Sequence, residues 1–117
     1  MEDEALALSR DIVTTLEEKK GADIVLLDLV GVCSFTDYFV ICTGGSERTL
    51  KALAEEVQMQ LKTQRSLNPR SVEGNAASGW VLMDYGDVIL HIFSPTLRAY
   101  YRLEDLWRQG QVLIHVQ

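Results

Sequence analysis

Two apolar runs of six residues, Trp80 to Tyr85 (WVLMDY) and Val88 to Phe93 (VILHIF), flank the dipeptide Gly86-Asp87. Runs of this length and composition read as strands, and a two-residue break containing glycine reads as a tight antiparallel turn. This hairpin constrains the chain more than any other feature, because successive strand side chains point to opposite faces. Trp80, Leu82, Asp84, Ile89, His91 and Phe93 fall on one face; Val81, Met83, Tyr85, Val88, Leu90 and Ile92 fall on the other. Moving the turn back by one position changes the cross-strand pairs but keeps both sets. The second set is the drier and should meet helices. The first mixes an indole, a carboxylate and an imidazole with apolar residues, as suits a face partly covered or awaiting a partner.

The remaining elements group around the hairpin. Ala5, Leu8, Ile12 and Leu16 recur at helical spacing between about Glu4 and Lys20, and Gly21 is a stop signal. Strands read from Ile24 to Leu29 and from Asp37 to Thr43, with Gly31 breaking between them. Gly44-Gly45-Ser46 then opens a helix with Ser46 as N-cap and Leu50, Leu53, Ala54, Val57 and Leu61 on its buried stripe. Strand, glycine turn and amphipathic helix form the first half of a βαβ unit. Thr63 to Gly79 is a long polar connection with a short strand near Ser71 to Glu73. After Ser94-Pro95 a turn and a short helix follow, with Leu103, Leu106 and Trp107 as apolar contacts. The loosely alternating end, Gln111 to Gln117, either extends a sheet edge or stays mobile. A chain of 117 residues holds one domain. The expected fold is a single α/β domain, a mixed β-sheet with packed helices.

Charge and motif spacing exclude several function classes. Seventeen acidic against eleven basic residues give a net charge of −6, which disfavours broad nucleic-acid binding and favours a basic protein partner. MEDEALALSRD lacks the positive and apolar regions of a signal peptide, no run spans a membrane, and a cytoplasmic protein is expected. Cys33 and Cys42 lack CxxC spacing, and His91 and His115 are the only histidines, so neither a redox pair nor a zinc site is expected. A glycine turn before a helix is also a phosphate-binding device, but neither Gly-Lys-Ser/Thr nor a full G-x-G-x-x-G is present. The plainer reading is a turn that needs positive φ. A nucleotidyltransferase site would add an Asp-x-Asp for magnesium, and ERTLKALAEEVQMQL has none; Asp84 and Asp87 only bracket a turn. Ser46 has no assigned base. Asp84 and His91 share a face and adjacent strands, which permits a hydrogen-bonded pair. Trp80, Tyr100, Tyr101 and Trp107 gather near the hairpin and are read either as core residues or as a protein interface.

Four ordered blocks carry a resemblance: TDYFVICTGGSERTLKALAEEV, Pro69 to Gly74 with its P-x-x-V-E-G pattern, GWVLMDYGDVILHIFSP, and RAYYRLEDLW. Together they resemble the Iojap-like ribosomal silencing factors over roughly Leu6 to Trp107, leaving 108–117 as a C-terminal tail. The resemblance implies a fold similar to a nucleotidyltransferase without its catalytic carboxylates, no cofactor and no enzymatic activity. It implies binding to the large ribosomal subunit through its protein number fourteen, which blocks association with the small subunit and represses translation. A role in large-subunit assembly is the alternative, with a degenerate nucleotidyltransferase as the competing enzyme class. By the same resemblance the partner-facing residues are Trp80, Asp84, Tyr85, His91, Arg98, Tyr100 and Tyr101, and without a transit segment a bacterial member is expected. Asp37, Tyr38 and the Gly44-Gly45-Ser46 turn read as structural family features. A homodimer of the free protein, through the tail or the Trp80 face, is a further expectation.

Overall fold

In the computed structural model, which describes residues 3–117, the hairpin forms in the first of the two registers. Trp80 opposes Phe93, Leu82 opposes His91 and Asp84 opposes Ile89. The Tyr85 N–H donates to the Val88 carbonyl (2.9 Å), leaving Gly86-Asp87 as the turn. Gly86 supplies the positive φ, +88°, that such a turn needs.

The hairpin strands are β4 (Trp80–Asp84) and β5 (Val88–Phe93) of a six-stranded sheet completed by β1 (Ala22–Asp28), β2 (Tyr38–Thr43), β3 (Ser71–Asn75) and β6 (Gln111–Val116). The strand order is β3-β4-β5-β2-β1-β6. Only β2 and β5 pair in parallel; every other neighbouring pair is antiparallel. The sheet is therefore mixed, as expected, and its parallel pair is buried residue by residue on both faces. Gln111–Val116 pairs with β1, so the chain end set apart in the sequence as a tail is an edge strand of the same sheet.

One face of the sheet is covered by α1 (Glu4–Glu18) and α2 (Glu47–Arg65). The predicted stripes, Ala5, Leu8, Ile12 and Leu16 on α1 and Leu50, Leu53, Val57 and Leu61 on α2, are buried against Val81, Met83, Tyr85, Val88, Leu90 and Ile92. Both helix starts are capped: Asp3 accepts from Ala5 N (3.1 Å) and Ser46 from Thr49 N (3.1 Å). Arg65 ties the helices together through two bonds to Asp11 Oδ2, 2.6 and 3.0 Å. The opposite face is covered by α3 (Pro95–Tyr101), α4 (Leu103–Leu106) and the 29–37 loop. No helix of the described residues is long and apolar enough to cross a membrane.

Three expectations need correction. The positive φ after α1 lies at Lys20 (+68°); Gly21 is needed for space, since a Cβ there would sit 2.6 Å from Cys42 Sγ and 3.0 Å from the Leu16 carbonyl. Neither Gly44 nor Gly45 takes positive φ, and Gly44 instead lets the turn close on Leu50, 3.2 Å from where its Cβ would be. Leu106 is 70% exposed. In the single turn of α4, Leu103 and Trp107 face the sheet four residues apart, and Leu106 lies about 60° from Leu103 on the far side from Trp107.

These two kinds of glycine predict opposite behaviour in urea denaturation. Gly21→Ala should lose about 1–3 kcal/mol by overpacking against Cys42 and the α1 terminus. Gly45→Ala, with nothing within 4 Å of its Cβ, should be neutral or gain up to about 1 kcal/mol.

Candidate partner-binding face

The face turned away from α1 and α2 is built from alternate residues of the central strands: Val25 and Leu27, Phe39 and Ile41, Ile89 and Phe93, with Trp80 and Leu82 half-buried beside them. Aromatic rings run across it without a break. Phe35 meets Trp107 (centroids 6.1 Å), Trp107 meets Phe39 (5.8 Å) and Phe39 meets His91 (4.7 Å). Trp80 then stacks on Phe93 at 5.0 Å and contacts Tyr101 at 4.7 Å, and Tyr101 contacts Tyr100 at 5.0 Å. Such edge and offset contacts fix ring positions. The band is buried in the middle and open at its ends, where Phe35 is 60%, Tyr100 74% and Tyr101 43% exposed.

His91 lies at the centre. The Trp80 Nε1–H donates to its Nδ1 (3.2 Å), which fixes a neutral ring with the proton on Nε2. Nε2 is buried without a hydrogen-bond partner among the described residues. Burial lowers the imidazole pKa to about 4, so the ring is uncharged at neutral pH. The Asp84–His91 pair that a shared face permits does not form. The register puts Leu82 opposite His91, and Asp84 Oδ1 accepts from the Gly86 N–H (2.7 Å), closing the hairpin turn.

The remaining predicted site residues separate. Tyr85 lies on the helix-side face and is buried there; burial pushes its hydroxyl up to about 12, and the oxygen has no partner among the described residues. Arg98 is buried as well. Its guanidinium donates to Thr43 Oγ1 (2.8 Å) and twice to Glu104 Oε2 (3.0 and 2.8 Å), with Asp23 at 3.7 Å, tying the end of β2 to α3 and α4. Trp80, His91, Tyr100 and Tyr101 are brought together, and Asp84 lies at the turn end of the same face.

Hairpin alternation already places Phe93 on this face, whereas Phe35 and Phe39 are members of the patch that the sequence did not single out. Alternation along β2 does place Phe39 beside Ile41, whereas Phe35 sits in a loop with no periodic signal.

The face is chemically suited to binding. Its centre consists of rings, aliphatic side chains and a neutral imidazole, with the Asp84 and Glu73 carboxylates at its margin. Cys42 is buried elsewhere, its thiol raised to about 12 by desolvation, which removes it as a thiolate nucleophile. Ser46 Oγ is engaged at the start of α2. Among the described residues no group of three His, Cys, Asp or Glu could hold a metal ion.

Two stability measurements follow. The unfolded chain protonates His91 near its ordinary 6.5 and the folded chain only near 4. This group's contribution is complete above about pH 6.5 and lost as pH falls toward 4. Between pH 7.5 and 4.5 the wild type should lose about 2–3 kcal/mol more than His91→Gln, which keeps an acceptor for the indole. Equal losses would contradict the buried neutral ring. Arg98→Met leaves Glu104 Oε2 and the Thr43 hydroxyl without their guanidinium donors, and should cost about 2–4 kcal/mol in the same assay.

Comparison with known proteins adds the family. Residues 2–117 match the family model described as "Ribosomal silencing factor during starvation" (RsfS). The chain is 37% identical over 95 residues to the ribosomal silencing factor RsfS of Halalkalibacterium halodurans, covering 81% of this chain and 80% of that one. It is 34% identical over 101 residues to the mouse protein named mitochondrial assembly of ribosomal large subunit protein 1, covering 82% of this chain and 43% of that one. A crystal structure of a Chromobacterium violaceum protein superposes with a TM-score of 0.85 at 36% identity, covering 98% of this chain and 94% of that one. With a family model spanning the described domain and a relative aligned over most of both chains, this chain belongs to the ribosomal silencing factor (RsfS) family.

Proposed function

We propose that this chain docks on the free large ribosomal subunit, at its protein number fourteen, through the aromatic face, and represses translation by keeping the small subunit away. The observation that carries this reading is the uninterrupted ring band on a sheet face that α1 and α2 leave open, with exposed Tyr100 and Tyr101 at one end and Phe35 at the other. Aromatic anchors beside a well-packed centre are what binding hot spots require. Membership of a silencing family supplies the biological context, and the mouse relative's name supports the large subunit as partner. The molecule measures 37 × 33 × 25 Å, wide enough for an interface of about 800 Å² per partner. No reaction is needed: bulk and negative charge are sufficient to exclude a second subunit, and the cytoplasm is the place of action. An assembly role uses the same contact at an earlier stage, and the mouse protein's name favours it as the second reading.

Co-sedimentation with purified large subunits tests the docking face. Tyr101→Ala removes a half-exposed ring without emptying the core, and Trp80→Ala removes the anchor itself. Each should weaken binding by about 2 kcal/mol or more, at least roughly thirtyfold. Met59→Ala, exposed on α2, should bind like the wild type. Wild-type binding by both aromatic variants would refute the face.

A further inference from the structure

A cleft of about 320 Å³ opens at the Tyr101 end of the band, between β3, β4 and α3. Its walls are apolar: Trp80, Leu82, Leu97 and the Tyr101 ring. Two polar side chains reach it. The Ser78 hydroxyl is already engaged, donating to the Asn75 carbonyl (2.8 Å) and accepting from the Asn75 N–H (3.3 Å). Glu73 is different. It pairs across the strands with Leu82, which puts its side chain on the aromatic face, and it is exposed with no ion pair or hydrogen bond among the described residues. The cleft therefore joins a greasy wall to one uncommitted acceptor-only carboxylate.

We infer that this cleft takes a basic side chain, arginine or lysine, of the docking partner. Such a side chain has the required shape of chemistry: an aliphatic stem that covers Leu82, Leu97 and Trp80, and a charged tip that ends at Glu73. Its cation also gains from the neighbouring Trp80 and Tyr101 rings. A phosphate or carboxylate would meet Glu73 with the wrong sign, and a purely apolar side chain would leave the carboxylate without a partner. The net charge of −6 draws a basic surface toward the face before contact. This inference rests on the proposed docking reading for the identity of the partner, and on the cleft's own chemistry for the class of side chain.

Two arms separate these supports. In the first, the purified protein is titrated with N-acetyl-argininamide, N-acetyl-lysinamide or N-acetyl-norleucinamide at constant ionic strength, following the Trp80 indole N–H and Tyr101 ring resonances by NMR. One or both cationic probes should shift these signals more than norleucinamide does, and Glu73→Gln should remove the difference. Equal shifts from all three probes, or an unchanged titration in Glu73→Gln, would overturn the inference. In the second, large-subunit binding is compared for Glu73→Lys and Glu18→Lys, which change net charge equally on opposite layers of the fold. Glu73→Lys should bind at least about tenfold more weakly than wild type, and Glu18→Lys within about twofold. Equal binding by the two lysine variants would overturn the inference while leaving the docking reading intact. Failure of the wild type to bind large subunits would refute that reading, and the amide titration would still decide the cleft.

Discussion

The parallel pairing of β2 with β5 is the constraint on which the rest of the molecule depends. Tyr38–Thr43 and Val88–Phe93 lie side by side in the middle of the sheet, and every residue of both strands is buried. A strand pair dry on both faces needs cover on both. Alternation then divides the domain. Val40, Cys42, Leu90 and Ile92 face the two long helices, while Phe39, Ile41, Ile89 and Phe93 face the short helices and the loop. The helix layer is continuous and capped. The other layer is assembled from short pieces and leaves rings at its margin, so the face proposed to bind is the one whose cover is incomplete.

Polar groups within this frame hold it rigid. Arg98 joins β2 to α3 and α4 through Thr43 and Glu104, which holds in place the short helices that carry Tyr100, Tyr101 and Leu103. Trp80 is held by its bond to His91 and by stacking on Phe93, so its indole reaches the surface already positioned. Residues assigned by resemblance to partner contact thus divide by physical role. Arg98 and His91 set the shape of the face, and Tyr100 and Tyr101 present it. Anchors fixed before contact lose less conformational freedom on binding.

Much of the fold was legible because two periodicities dominate the chain. The hairpin faces, the α1 and α2 stripes and the Ser46 cap follow from spacing alone, since any slip would place Leu or Ile in water. Leu106, Gly21 and Gly44 were not, because their roles depend on distance rather than pattern. Nothing in the neighbourhood of Gly21 in the sequence announces Cys42, and Leu106 fits a helical spacing that one turn of α4 does not use. Legibility of the candidate site was similarly partial. Trp80 and His91 were reached by alternation, but the register decided that Leu82, and not Asp84, faces His91. Arg98 entered only as a partner-facing residue by resemblance, and its buried role was hidden because its partners Thr43 and Glu104 lie on separate elements. Phe35 joins the band through a loop for which no periodicity exists.

The central claim is that this protein silences by occupation. Purified large and small ribosomal subunits, mixed under joining conditions and resolved on a sucrose gradient with increasing amounts of the protein, test it most directly. The account predicts that joined ribosomes decline as the protein reaches stoichiometry with large subunits, with the protein travelling in the large-subunit peak. Undiminished joining while the protein is bound to large subunits would contradict it.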